Sequence, residues 1–471
     1  MPPTQPADPP QTLPRGSAPE RGRRPHLLLI AFYFPPTRAS GVYRGRAMAN
    51  HFAAAGWDVT VLTVEREFFR DYIHSYDPSL EATVSPDVVV ERVPFSGWQW
   101  EPDVRRIGLV RALFPRIAAR VRRRAESLIF PDAYSSWIRP VVRRGEQVHR
   151  QRPVDLVLTT GNPWSSFAAA WKLQRSIGVP YVLDYRDAWT MNQYTHARPP
   201  KDLARAQAWE GRVLDGCALA VFVNEAQREW HAEQYPAVAA RTRVVENGWE
   251  PELLGDLPVR LPAPDRPLRL SYLGTMTGYM PLREFFDGWR LARTGPELTG
   301  SQVVLHGHLG FFSSARGAVR SALPLTEGID VVYAGPVPKA EVRGAYSEAD
   351  VLLLILPGSR FVTGGKVYEY MATGKPIVSV HDPDSSANGP LSRYPLWFPV
   401  RDLSPEAIRD ALLAAARAAR GLTEADVAAA RAQAARFTRD AQLEPLEEQA
   451  RELVRAPSSG SSLDRGPVVH A

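Results

Sequence analysis

Residues 364–380 read Gly-Gly-Lys-Val-Tyr-Glu-Tyr-Met-Ala-Thr-Gly-Lys-Pro-Ile-Val-Ser-Val and follow the apolar run Val351–Leu356, which Pro357 and Gly358 interrupt. A run that short, bounded by turn formers, suits a buried strand. The order is then strand, glycine loop, helix from about Lys366, stop at Gly374 and a new strand from Pro376. The loop also has a chemical use. A helix N-terminus fed by glycines presents unpaired N–H groups and partial positive charge, a setting suited to phosphate. Lys366 adds a full charge there. One turn on, Glu369 lies where a carboxylate can accept hydrogen bonds from a sugar's paired hydroxyls. The chain has only five lysines (Lys172, Lys201, Lys339, Lys366 and Lys375), so one at this loop stands out. The plainer reading, a solvated lysine and a carboxylate favoured by the helix dipole, accounts for the same residues equally well.

The strand–helix alternation extends in both directions. Before it, strands are expected at Leu27–Phe32, Asp58–Thr63, Val88–Arg92, Asp155–Thr159, Tyr181–Asp184, Leu219–Val223 and Arg243–Val245, with helices such as Tyr43–Ala55, Ser165–Ile177 and Leu203–Asp215 between them. A proline-rich passage follows, and the pattern restarts at Leu268–Leu273, Val303–His306, Asp330–Ala334, Val351–Leu356 and Ile377–Val380. This is an α/β chain with two Rossmann-like, doubly wound domains facing a central cleft. The expected divisions are a tail (1–25), a first domain (26–250), a linker (251–267), a second domain (268–435), a terminal helix (436–455) and a second tail (456–471).

Bulk composition narrows the function classes. At 471 residues, 44% hydrophobic and 23% charged, the chain can bury two cores. The single cysteine, Cys217, rules out an internal disulfide and a cysteine-based metal site. The apolar run after Arg21, Arg23 and Arg24 is too short to span a membrane and ends at Pro35-Pro36, so it reads as a first strand. The formal charge of +6 favours anionic partners without requiring nucleic acid.

The run Lys366–Ile377 resembles the donor-site signature of GT-B glycosyltransferases, especially the retaining group known as family 4. The resemblance spans His26 to about Arg455 and is denser in the second half. It implies that Glu369 holds a nucleotide ribose and that Gly364, Gly365 and Lys366 face the diphosphate. It also implies that the terminal helix crosses back onto the first domain. Gly274-Thr275-Met276-Thr277-Gly278 then corresponds to a phosphate loop, with Gly274 and Thr275 on the donor side. Family members commonly place an arginine and a lysine after that first glycine; here Thr275 takes the first place, leaving Arg283, Arg360 or Lys366 to supply charge. A further glutamate directed at the sugar in many members is Phe361 here. Gly335-Pro336-Val337-Pro338 resembles the loop that meets the base, which puts Val337 on the donor list; a plain turn is its other reading.

On the first-domain side, the Pro35–Gly41 loop and Val42-Tyr43-Arg44 correspond to the acceptor floor, so Gly41 and Arg44 are expected there, although only one glycine of the usual pair remains. Asp184-Tyr185-Arg186-Asp187-Ala188-Trp189 resembles an Asp-x-Arg-Asp-x-Trp element of transferases acting on cell-surface polysaccharides. Asp187 is expected to face the acceptor rather than merely pair with Arg186, and with Lys366 it is a catalytic candidate. Trp189 suits either sugar stacking or core filling. Asn247-Gly248 is read as architecture alone, a tight turn with positive φ. His306-Gly307-His308, if wholly on a strand, points two imidazoles to one face, yet no third ligand accompanies them, and ordinary polar lining is the better reading.

No cofactor and no metal are expected, because fixed dipoles and cations can take the diphosphate charge. The expected partners are a nucleotide sugar and a saccharide or lipid-linked acceptor. The arginine-rich stretch 105–152 suits reversible contact with anionic membrane as well as a plain solvated helix face. The single cysteine suits a reducing compartment, so the expected location is the cytoplasm, with the inner face of the membrane as the place for any such contact. The resemblance implies a retaining glycosyltransferase of the hexosyltransferase type. A GT-B-type sugar-nucleotide epimerase and a non-catalytic nucleotide-sugar-binding subunit are the other readings.

Overall fold

The computed structural model describes residues 23–39, 41–73, 75–95, 129–192, 202–254, 257–263, 266–310, 316–338 and 341–455. The first sheet has seven parallel strands: β1 (His26–Ile30), β2 (Asp58–Val64), β3 (Val88–Val93), β4 (Leu156–Gly161), β5 (Tyr181–Tyr185), β6 (Leu219–Phe222) and β7 (Thr242–Val244). Their spatial order is β3-β2-β1-β4-β5-β6-β7. The principal helices around it are α1 (Val42–Ala54), α2 (Ile138–Gln151), α3 (Ser165–Ile177), α4 (Leu203–Gly216) and α5 (Glu225–Gln234). The second sheet is six-stranded and parallel, from β8 (Arg269–Leu273), β9 (Gln302–His306), β10 (Val331–Gly335), β11 (Val351–Ile355), β12 (Ile377–Val380) and β13 (Trp397–Pro399). Its order is β10-β9-β8-β11-β12-β13. Its longer helices are α6 (Leu282–Ala292), α7 (Val342–Glu348), α8 (Gly365–Thr373), α9 (Pro405–Arg420), α10 (Glu424–Ala435) and α11 (Arg439–Arg455).

Unbroken apolar strands follow from burial on both faces. Along β1, Leu27 and Leu29 join one core with Phe52 and Trp57, while Leu28 and Ile30 join the opposite core with Val141, Phe167 and Leu173. Alternate side chains point to opposite faces, so a strand covered on both sides must be apolar at every position. β13 has no such run. It is a three-residue edge strand containing Pro399, which a sequence pattern does not reveal.

Two chain crossings join the halves. At the first, Trp249 N–H donates to Phe437 C=O (3.0 Å), and Arg439 N–H donates to Trp249 C=O (2.9 Å), so residues 249 and 438 pair as a parallel bridge. Gly248 is required by this close approach, because a Cβ there would lie 2.6 Å from the Phe437 carbonyl oxygen. The expectation of a positive φ at Gly248 is therefore corrected: it is not among the left-handed glycines. At the second crossing, α11 leaves the second sheet and lays Leu443, Leu446 and Ala450 into the core beside Leu27 and Leu29. Trp57 Nε1 donates to Glu447 Oε1 at 2.5 Å, fixing that helix from the side.

Among the described residues no helix is long and apolar enough to cross a membrane. The densest arginines of the basic stretch, at Arg116–Arg124, lie outside the described residues. In the described part, α2 exposes Arg139, Arg143 and Arg150 and packs Val141 and Val148 inward.

Candidate functional site

α8 begins at Gly365 without a side-chain cap; its N-cap, Gly364, has φ −71° and ψ 149°. A Cβ built on Gly364 or Gly365 meets nothing within 4 Å. The Val367 N–H donates back to the Gly364 carbonyl (3.2 Å), and among the described residues no side chain caps this helix start. The helix stops at Gly374, whose φ of +74° a side chain would strain. Lys366 Nζ donates to Glu369 Oε2 at 2.8 Å and to the Tyr346 hydroxyl oxygen at 3.0 Å, and Tyr346 donates to the same Oε2 at 2.7 Å. Lys366, expected to bring a full charge to this helix end, shares it with Glu369 in an i,i+3 pair. Tyr346 is fully buried. Burial, and then the Glu369 charge, push its phenol well above the ordinary range, so it remains a donor to that carboxylate.

This helix end turns toward the first sheet. Asn247 Nδ2 donates to the Thr363 carbonyl (3.0 Å), and Asn224 Nδ2 donates to Thr363 Oγ1 (3.3 Å), one residue before the glycines. Thr363 Oγ1 in turn donates to Ser386 Oγ at 2.8 Å. Tyr43, in the first turn of α1, has its phenol raised by burial and next by the charge of Glu369. A cavity of about 420 Å³ opens elsewhere on the seam between the sheets, lined by Glu246, Pro390, Arg393, Arg436 and Gln442 among others; none of its lining belongs to α8.

On the first sheet, the loops after β1, β4 and β5 converge where the strand order reverses, the usual position of a ligand crevice. Gly41 lies against Arg186: a Cβ there would overlap Arg186 Nη1 at 1.3 Å. The Arg186 guanidinium donates to the Gly161 (3.3 Å) and Asn162 (3.2 Å) carbonyls. It also pairs with Asp187 at 3.1 Å, the neighbour contact that the sequence reading set against an acceptor-facing role. Asp187 remains 36% exposed, so one side of its carboxylate is open to solvent. Arg44 does not line an acceptor floor. It is 3% exposed and paired with Asp184, 0% exposed, through Nη2 at 2.7 Å and Nε at 3.0 Å. It further donates to the Val245 carbonyl (3.0 Å) and to Asn247 Oδ1 (3.4 Å). Trp189 is core filling: it is buried and stacked on Trp164 with centroids 5.5 Å apart.

The remaining donor-side candidates lie at the ends of β8, β9 and β10. Gly274 N–H donates to the His306 carbonyl (2.9 Å), and Gly307 N–H donates to the Gly335 carbonyl (2.8 Å). Gly307, at φ +135°, packs so closely that a Cβ would overlap the Gly274 carbonyl oxygen. Thr275 and Val337 are half-buried in the flanking loops, and Arg283 is exposed on the first turn of α6. The two histidines do not share a strand face. β9 ends at His306, Gly307 breaks the alternation, and His306 is buried while His308 is exposed. Among the described residues no group of three His, Cys, Asp or Glu side chains is arranged to hold a metal.

Sequence reasoning missed Tyr346, Asn224, Thr363 and the placement of Arg186, each brought to the site from another element by the fold. It also passed over Asp382-Pro383-Asp384, an Asp-x-Asp triplet next to Gly358. There Asp382 Oδ1 accepts from the Asp384 N–H at 3.0 Å, which is a local turn.

Comparisons with known proteins agree with this architecture. Residues 40–248 match the model of the glycosyl transferase 4-like domain. A search of curated proteins found no match. Among solved structures, the chain is similar to sucrose-phosphate synthase from Thermosynechococcus elongatus, with TM-score 0.62 and 17% identity over 91% of this chain and 99% of that one. It is similar to Anabaena HepE in complex with UDP and glucose, with TM-score 0.60 and 13% identity over 91% and 100%. A trehalose 6-phosphate synthase from Burkholderia multivorans gives TM-score 0.57 and 13% identity over 92% and 97%. With two parallel, helix-flanked sheets like those of the similar solved structures, the chain has the GT-B fold, and its residues 40–248 match the glycosyl transferase 4-like domain.

Proposed function

We propose that the protein transfers a sugar from a nucleoside-diphosphate sugar to a hydroxyl of a saccharide or lipid-linked saccharide, with retention at the anomeric carbon. The observation that carries this reading is the uncapped N-terminus of α8, open at Gly364–Gly365 and turned toward the first sheet, with Lys366 and Glu369 on its first turns. Solved structures of HepE hold UDP and UDP-glucose.

The chemistry follows from where charge develops. As the glycosidic bond to the donor breaks, negative charge grows on the departing diphosphate. Fixed N–H groups and a nearby ammonium stabilise that charge more in the transition state than in the ground state. Thr275, Gly274, Val337 and Arg283 complete the donor side of the cleft. Glu369 accepts from Tyr346 and Lys366 through Oε2, which fixes the carboxylate that ribose hydroxyls would meet. Asp187, with Gly41 beneath its arginine partner, is the acceptor-side group, and its exposed edge is where a hydroxyl would approach. The diphosphate charge is met by helix dipole and cations, and no metal is assigned a step.

In the test, Lys366→Ala and Glu369→Ala each weaken nucleotide-sugar binding by about tenfold or more, the scale of a lost charge-assisted hydrogen bond, while circular dichroism stays native. Unchanged donor affinity in both variants discards the assignment. Donor turnover without any acceptor indicates an epimerase. Tight donor binding with no transfer to any acceptor pool indicates a binding subunit, a reading favoured by Thr275 and Phe361 in places where charged residues are usual.

A further inference from the structure

The two halves of the candidate site are joined by a continuous line of hydrogen bonds. Asp184, immediately before the Asp187 loop, is fully buried and paired with Arg44. Arg44 donates to Asn247 Oδ1 at 3.4 Å, and Asn247 donates from Nδ2 to the Thr363 carbonyl at 3.0 Å. A second strand of the line starts at Asn224. Its Oδ1 caps α5 by accepting from the Gln227 N–H at 2.9 Å, and its Nδ2 donates to Thr363 Oγ1 at 3.3 Å. Both end on one residue, 2% exposed, that directly precedes Gly364. Asn224 is itself 5% exposed, so neither group has water as a ready substitute partner.

We infer that Asn224 and Asn247 are positioning residues that hold the N-terminus of α8 against the first sheet, setting the gap between the diphosphate-facing N–H groups and the Asp187 loop. Each side chain uses its oxygen for its own half of the molecule and its nitrogen for Thr363. Exchange of amide for carboxylate removes the Nδ2 donor and adds a charge: Asn247→Asp keeps the acceptor for Arg44 and sets an oxygen against the Thr363 carbonyl, whereas Asn224→Asp keeps the helix cap and can only accept from the Thr363 hydroxyl. Thr363→Ser retains the hydroxyl that meets Asn224, and Thr363→Val removes it with little change of shape. The catalytic consequence rests on the transferase reading above; the mechanical one does not.

The experiment combines small-angle scattering and amide hydrogen exchange on the unliganded full chain with steady-state kinetics on the nucleotide sugar that the wild type turns over. In Asn224→Asp/Asn247→Asp, the radius of gyration rises and exchange accelerates over residues 361–367. The donor KM rises about tenfold, since two ordinary hydrogen bonds contribute roughly that factor, and kcat falls because the two halves are misaligned. Thr363→Val, which removes the Asn224 bond and keeps the Asn247 bond to the backbone carbonyl, shifts in the same direction by a smaller amount, and Thr363→Ser follows wild type. Scattering and exchange indistinguishable from wild type in both the double variant and Thr363→Val overturn the inference. If the asparagine pair does not fold, Thr363→Val against Thr363→Ser decides for the Asn224 bond and Asn247→Asp alone for the other. Altered scattering with no turnover even in wild type leaves the positioning role standing and counts against the transferase reading.

Discussion

At the scale of single residues, burial decides which ionisable groups act and which are only structural. Cys217 is 1% exposed, and its Sγ donates to the Leu214 carbonyl at 3.1 Å. Burial pushes the thiol up to about 12, so almost no thiolate forms near neutrality. Alkylation at pH 8 should therefore be absent in the folded protein and complete after denaturation; rapid labelling without unfolding contradicts this placement. His26 is the corresponding case for a cation. Its ring sits between the Pro153 carbonyl (3.2 Å) and Thr60 Oγ1 (2.9 Å), and burial and then Arg152 lower it from 6.5 to about 4. Between those two values the unfolded chain binds a proton that the folded chain does not, so stability must fall as pH is lowered through this window. The loss reaches up to about 3 kcal/mol by pH 4. Glu65 and Glu246, raised by burial, act in the opposite direction. The contribution is therefore read as a difference: urea midpoints of His26→Gln should change less from pH 7 to pH 4 than those of wild type.

At the scale of elements, α8 shows a conflict between stability and ligand binding. Its N-cap is a glycine, although Asp or Ser would satisfy an N–H group of the first turn, and the space beyond Gly364 is empty. Gly364→Asp is allowed by the local φ of −71° and should stabilise the helix by about 1 kcal/mol. The same carboxylate occupies the N–H groups and repels a diphosphate. The expected result is a raised melting temperature together with loss of nucleotide-sugar binding. A variant that is more stable and binds donor normally would show that this helix end does not hold the phosphates. By contrast, α10 is fully capped, with Thr423 and Asp426 bonding each other's backbone N–H groups, and it bears none of the candidate site residues.

At the scale of the whole molecule, α11 makes the first core depend on the last helix. Leu446 is 0% exposed and packs with residues of β1, and His51 of α1 meets Asp440 at 2.9 Å. Glu250, on the first crossing, pairs with both Arg46 of α1 and Arg439 at the start of α11. Leu446→Ala should cost about 2–5 kcal/mol, the usual range for a buried leucine truncated in a packed core. Because the lost contact joins distant parts of the chain, the reduction in urea midpoint should be accompanied by increased exchange in β1 as well as in α11. Exchange confined to α11 would mean that the helix docks without supporting the sheet.

Strand positions were legible because a parallel strand covered on both faces must be apolar throughout, and such runs bounded by glycine and proline have few other uses. Ile377–Val380 coincides with its expected bounds for that reason, and the other expected strands differ at their ends by at most one or two residues. The α8 unit was legible too, since glycines at both ends punctuate a short helix. What a charged or polar side chain does with its bonding capacity was not legible, because its partners lie far away in sequence. Arg44 read as a residue at the acceptor side and is instead sealed against Asp184, 140 positions on. Lys366 read as a charge at the helix start, and its bonds to Tyr346 and Glu369 emerged only in the fold. Asn247 and Gly248 read as a turn, yet one bonds Thr363 and the other makes room for a second pass of the chain. Hydrophobic burial is a local, periodic property that a sequence displays directly. Hydrogen bonds and ion pairs are specific to partner and direction, so only the assembled chain chooses among them.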